Sequence, residues 1–170
     1  MSSISTRIIN IYKSRKTLLE QLDSHGYGVD DYQNFTMNEI DSMLSNSQLD
    51  MLVSNEKGNK VYVKYYFALK QSTKQIKKEV LDNVIEDLYI LDEVLTKKDS
   101  LIVVIDDEPN DSILTRMKYL YDHDGIFVII HNIHRLQYNI LKHTLVPNMT
   151  PLNATEEVEV LEKFEVRDKY

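Results

Sequence analysis

Ser100-Leu101-Ile102-Val103-Val104-Ile105 decides the fold. The run is almost uninterrupted apolar and β-branched, and it is bounded by Lys97-Lys98-Asp99 and Asp106-Asp107-Glu108. A half-wet strand would alternate. A run this short without alternation predicts a central strand covered on both faces. The flanks fit that reading. Upstream, Ile76, Val80, Val84, Leu88, Leu91 and Leu95 recur at helical spacing, with a break expected near Asp82-Asn83 and Lys97-Lys98 suiting the helix end. Downstream, Asp106 to Asp111 reads as a loop and Ser112 to Tyr121 as a helix with Ile113, Leu114, Met117 and Leu120 inward. Asp124-Gly125 ends that helix, and Ile126 to His131 and Leu136 to Ile140 read as two more strands. Strands and helices alternating through short loops predict an α/β class fold: a mixed sheet with flanking helices, followed by a short helical tail.

The N-terminal half supplies the other covering layer. Ile4, Ile8, Ile9, Ile11, Tyr12, Leu18, Leu19 and Leu22 predict an amphipathic helix over 4–24, stopped by Gly26 and Gly28. Arg7, Lys13, Arg15 and Lys16 are expected mainly on its wet face. Thr36-Met37-Asn38-Glu39 has the form of a capping box, in which a hydroxyl and a carboxylate satisfy backbone N–H groups at a helix start. It predicts a helix over 37–46. Leu49 to Ser54 reads as a strand, Asn55 to Asn59 as a turn, and Lys60 to Leu69 as the hairpin partner. In that partner Val61, Val63, Tyr65 and Phe67 alternate with Lys60, Tyr62, Lys64 and Tyr66. The second set is a basic-aromatic face, a candidate for stacking on bases and pairing with phosphates. Tyrosines on an outer sheet face also pack against aliphatic stems with no ligand involved. Ser72 to Gln75 repeats the capping-box form.

The bulk numbers exclude several classes. The chain has 170 residues, with 42% hydrophobic and 28% charged, enough apolar material for one domain or one plus a small appendage. A formal net charge of −7 and a pI near 5.2 argue against a protein that grips nucleic acid alone by charge neutralisation. Zero cysteines exclude disulfides and thiolate metal sites. No secretory signal is legible, and the apolar runs are too short to cross a bilayer, so no membrane partner is expected. The sequons at Asn34, Asn148 and Asn153 read as chance matches in a protein expected to be intracellular.

The motifs that suggest chemistry lack their necessary partners. Leu101 to Pro109 resembles the first strand and acid pair of a two-component receiver domain, where carboxylates hold a divalent cation. That arrangement needs an Asp after a later strand, and the next strand ends in His131-Asn132. A metal-dependent nuclease needs carboxylates and a lysine on adjacent strands. Lys60 to Leu69 lacks an acid two residues before a lysine, and Asp168-Lys169 is out of context. His131, His134 and His143 invite zinc, but i and i+3 on a strand end do not converge. With only four glycines, no phosphate-cradling loop is found. No catalytic residue, metal or cofactor is expected.

Leu136-Gln137-Tyr138-Asn139-Ile140-Leu141-Lys142-His143-Thr144-Leu145-Val146-Pro147 closes the body. Pro147 lacks an N–H and pushes Val146 toward extended backbone, so the chain is expected to leave a strand, stay extended, and begin something else. The expected division is 1–141, an α/β domain, and 142–170, a hinge with a helix over 154–165 started by Asn153 and Glu156. This dodecamer resembles the interdomain joint of the fifth-largest subunit of DNA-directed RNA polymerases from eukaryotic nuclei and large DNA viruses. Asn139, Ile140, His143, Leu145, Val146 and Pro147 stand in the matching places. Weaker likeness extends over His25-Gly26-Tyr27, over Leu101 to Leu120, over Leu152 to Glu156, and to Phe164, Arg167 and Asp168.

The resemblance implies a nuclease-like, jaw-forming N-terminal domain without an active site, near downstream DNA. It implies a C-terminal assembly domain, related to a subunit of archaeal polymerases, that docks on the largest subunit. It implies docking through Asn139, Ile140, His143, Leu145, Val146, Pro147, Phe164 and Arg167; the DNA-facing candidates Lys60, Tyr62, Lys64 and Tyr66 come instead from the alternation along their strand. Tyr170 falls where the family's β-rich end begins, so the resemblance implies either a fragment or a homologue that has shed most of its assembly domain. Nucleus, virion and viral factory are all open as compartments. A bias toward Lys, Ile, Asn and Tyr fits an AT-rich viral genome. The alternative class is a free-standing nuclease-like or nucleic-acid-binding module.

Overall fold

In the computed structural model, residues 5–67, 76–147 and 152–163 are described. The expected Ser72 to Gln75 box, Phe164 and Arg167 lie outside them. The described residues fall into two units divided between Asn139 and Ile140.

The first unit is a three-layer α/β body. Four strands run β1 (Met51–Ser54), β2 (Lys60–Tyr65), β3 (Ser100–Ile105) and β4 (Phe127–Asn132), in spatial order β1-β2-β3-β4. β1 pairs antiparallel with β2, with Met51 opposite Val63, and β2, β3 and β4 are parallel, with Val63 opposite Ile102 and Ile102 opposite Ile129. Two crossovers join the parallel strands through α3 (Lys78–Glu86) and α4 (Asp111–Tyr119).

β3 is the centre, and its side chains divide by strand period. Ile102 and Val104 pack into one core with Ile11, Leu18 and Leu22 of α1 (Thr6–Ser24), Ile40 of α2 (Met37–Ser45), and Val61 and Val63. Leu101, Val103 and Ile105 pack into the other core, with Leu81 and Ile85 of α3, Ile113 of α4, and Val128. Leu101, Val104 and Ile105 are 0% exposed, so the unbroken apolar run and burial on both faces are the same fact. Each such side chain contributes roughly 1.5–3 kcal/mol of burial.

The termini of the helices show why they start and stop. Ser5 caps α1 by accepting from the Ile8 N–H, and Thr36 and Glu39 form the expected capping box on α2. At the end of α1 the Gly26 N–H donates to Asp23 and the Tyr27 N–H to Leu22, with Gly26 at φ +80. That is a Schellman ending, which favours glycine at the left-handed position.

Three expectations change. The helix after Ile76 runs unbroken through Asp82-Asn83; the change comes at Asp87–Leu91, a single π-helical turn. The extra residue per turn rotates the stripe, so Leu88 stays buried while Leu91 is exposed. Leu114, expected inward, is exposed, while Ile113 and Leu120 are buried. Leu136 to Ile140 is not a strand. The Asn132 side chain accepts from the His134 N–H, which ends β4 in a 3₁₀ turn over Ile133–Leu136. Leu136 is buried against α1 by that turn rather than by a sheet, and Gln137 donates to the carbonyls of Asn10 and Ile133.

In the second unit a 3₁₀ turn, Ile140–Lys142, precedes α5 (Ala154–Lys163), which Asn153 caps with Glu156 reaching back. Among the described residues no helix is long and apolar enough to cross a membrane.

Candidate functional site

The joint is a pair of turns, not an extended hinge. The His143 N–H donates to the Ile140 carbonyl at 3.0 Å, and the Val146 N–H to the His143 carbonyl at 2.9 Å. The His143 ring nitrogen Nδ1 accepts from the Leu145 N–H at 3.2 Å. Local bonds of this kind compete with extension and win where no neighbouring strand is at hand. Pro147 follows, with no N–H to lose. His143 thus has a backbone-ordering task, and its neighbours stand in the open: Ile140 is 55% exposed and Leu145 84%. Val146 is half-buried, and Pro147 is exposed. Asn139 ends the first unit half-buried, donating through Nδ2 to Glu20 at 3.4 Å.

On β2, Lys60, Tyr62, Lys64 and Tyr66 share a face as the alternation implies, but all four are half-buried. Asp50, just before β1, gathers them. Its Oδ2 accepts from the Tyr62 hydroxyl and the Lys64 ammonium, each at 3.0 Å, and its Oδ1 accepts from the Tyr65 N–H at 3.0 Å. Burial and then the Asp50 charge push the Tyr62 phenol well above its ordinary range. The Lys60 ammonium donates to the Val94 carbonyl at 3.0 Å. Tyr66 packs against the core under α3. Two cations of the face are therefore already engaged inside the chain. The sequence signal for this, an acid at the opposite strand's start, is weak because it lies 12 residues before its tyrosine partner.

The acids after β3 disperse. Asp106 lies 3.8 Å from Arg7, Asp107 accepts from the Glu108 N–H, and Glu108 accepts from Asn132 and Arg135 at 3.1 Å each. Among the described residues no three His, Asp or Glu converge on a metal-sized site. Burial, and then Arg135, hold the His131 pKa below its ordinary value.

Asp99 is a different kind of acid. It is 4% exposed and accepts from the Lys60 N–H at 2.6 Å, the Thr96 N–H at 2.7 Å and the Thr96 hydroxyl at 2.8 Å. Burial alone would raise its pKa; the donors from Lys60 and Thr96 outweigh it and hold the carboxyl below its ordinary value. It pins the starts of β2 and β3 to each other.

One residue departs from expectation outright. Arg15 is not on the wet face of α1: it is 3% exposed, inside the stripe Ile8, Ile11, Leu18, Leu22. The signal was present in the spacing, four residues after Ile11 and three before Leu18. Its Nη1 donates to the Leu49 carbonyl at 2.6 Å. Lys13 and Lys16 are exposed as expected.

No protein-family model matches the chain, and no curated protein is significantly similar to it.

Proposed function

We propose that the chain is a non-catalytic structural subunit of a DNA-directed RNA polymerase, forming part of the jaw near downstream DNA and docking on the largest subunit. The observation that carries the reading is positional. The chain divides between Asn139 and Ile140, within the pattern Asn139-Ile140…His143…Leu145-Val146-Pro147 that resembles the family's interdomain joint. The local chemistry supports it. His143 spends its ring nitrogen on ordering the turn, which leaves Ile140, Leu141 and Leu145 as apolar side chains in water. Apolar residues held outward on an ordered turn suit a protein partner.

Rigid placement is the mechanism on this reading: the body is a wedge, held by protein contacts made from the second unit. Charge engagement on β2 makes the protein contacts, rather than Lys60 and Lys64, the main source of retention. The test is co-expression with the largest subunit of the polymerase encoded by the same genome, followed by affinity capture of that subunit. Retention of the chain is expected, with loss in an Ile140→Asp, Leu145→Asp variant that keeps the native circular-dichroism spectrum. A chain that washes out while the other subunits stay together overturns the proposal.

A further inference from the structure

The Arg15 guanidinium is buried with one edge unused. Nη1 is satisfied by Leu49. Among the described residues Nε and Nη2 meet no hydrogen-bond acceptor, and both are covered from solvent. These two nitrogens are not a random pair. They form the side-on edge of the guanidinium, whose two parallel N–H groups match the two oxygens of a carboxylate.

The surroundings have the form of a binding cavity. Arg15 lines a space of about 430 Å³ together with Tyr12, Lys16, Tyr32 and Phe35. Its Cζ lies 5.6 Å from the Tyr32 ring centre and 5.5 Å from that of Phe35, so the charge is flanked by π faces. The volume is in the range of small-molecule sites, and an aromatic wall around one fixed charge is their usual composition. The wall can yield at Phe35, which lies outside the helices and strands, whereas Tyr32 is tied to Leu52 through its hydroxyl. The backbone behind Arg15 cannot, being the middle of α1.

A buried cation with unmet donors is a poor structural element, since an apolar residue of similar volume would serve packing better. The Asp50 charge favours the guanidinium, but the hydrogen bonds to its oxygens come from Tyr62, Lys64 and the Tyr65 N–H rather than from Arg15. We propose that the cavity binds a small monocarboxylate with an apolar body: the two oxygens accept from Arg15 Nε and Nη2, and the body lies against Tyr32 and Phe35. A monoanion is preferred over a dianion because Glu20 and Asp23 line the same space and balance Arg15 and Lys16. This site is independent of the polymerase reading.

The experiment follows the Arg15 Nε–H resonance of the ¹⁵N-labelled full chain during titration with phenylacetate, its neutral isostere phenylacetamide, and phenylphosphonate. Phenylacetate is expected to shift the resonance saturably, with Kd of about a millimolar as befits a fragment of this size. Phenylacetamide should leave it in place, and phenylphosphonate should bind more weakly than phenylacetate. Arg15→Lys should abolish the shifts of cavity amides. Should that variant fail to fold, Phe35→Ala serves instead, weakening phenylacetate about tenfold. No saturable shift of Arg15 overturns the proposal. So do equal shifts from the amide, which would mark ring burial alone, and tighter binding of the phosphonate, which would make the site a phosphate site.

Discussion

Asp99→Ala tests whether the sheet is held in register by one buried carboxylate. Three donors end on this side chain, at 2.6, 2.7 and 2.8 Å, and two of them are backbone N–H groups that no other element can satisfy without moving. Hydrogen bonds to a charged acceptor contribute roughly 1.5–3 kcal/mol each when counted singly, but the three share one group and lose less together than their sum. The expected cost of Asp99→Ala is about 3–4 kcal/mol, and of Asp99→Asn, which keeps one acceptor oxygen, about half that. Against a typical domain stability of roughly 5–15 kcal/mol either change is large. Urea unfolding at pH 7 should lower the Asp99→Ala midpoint by about 2 M with the slope unchanged.

The pH dependence gives an independent arm. The folded carboxyl sits below its ordinary value, so it stabilises the fold fully above the unfolded value of about 3.9 and loses that contribution as pH falls through the lower folded value. The gap between the natural chain and Asp99→Asn should therefore be flat from pH 7 to about pH 5 and narrow below about pH 4. A gap under about 0.5 kcal/mol at pH 7, or one that stays constant down to about pH 3, refutes the reasoning.

Two further changes separate the roles of the other elements. Asp50→Asn should bring the Tyr62 phenol down toward its ordinary range, though not all the way because burial is the larger cause, and should lower stability by about 1–2 kcal/mol; ultraviolet titration and urea unfolding read the two effects. Gly125→Ala should cost about 1 kcal/mol, seen as a fall of a few degrees in Tm, purely through its φ of +68, since the nearest atom a Cβ would meet is Lys97 Cδ at 3.8 Å.

How much of this was legible depends on the range of the interaction. β3 could be read because burial on both faces writes itself as an unbroken apolar run, with no partner needed to decode it. The capping box at Thr36 could be read because both members lie within one turn. The 3₁₀ ending of β4 could have been found from Asn132, but the alternation of Leu136, Tyr138 and Ile140 outweighed it. In the fold Leu136 is 3% exposed and Tyr138 64%, a contrast set by a turn and not by a pleat. The π turn at Asp87–Leu91 leaves no mark in composition; only the phase slip between Leu88 and Leu91 betrays it. The four-residue face on β2 was legible as a face. Its engagement by Asp50 was not, since a pattern along one strand says nothing of the charge across from it. Arg15 is the instructive case. A rule that assigns basic residues to water overrode a spacing that put this one in the core.

The topology explains why the acids after β3 disperse while a cavity forms elsewhere. In open parallel sheets a ligand crevice forms at the carboxyl end where successive crossovers go to opposite faces. Here β2, β3 and β4 follow in simple order, and α3 and α4 both pack in the core that holds Leu101, Val103 and Ile105. The loops after β3 and β4 consequently splay no gap, and Glu108 reaches Asn132 and Arg135 directly across the strand ends. The other layer is built differently. α1 crosses the opposite face, and the chain returns to β1 through α2 and irregular stretches on either side of it, the first of which Tyr32 ties to the sheet edge, its hydroxyl at 3.2 Å from both Leu52 N and Leu52 O. A helix on one side and a loop strapped to an edge strand on the other do not interdigitate as two helices do. The space left between them is the one Arg15 lines, on the α1 layer and away from the carboxylates that the sequence displays most openly.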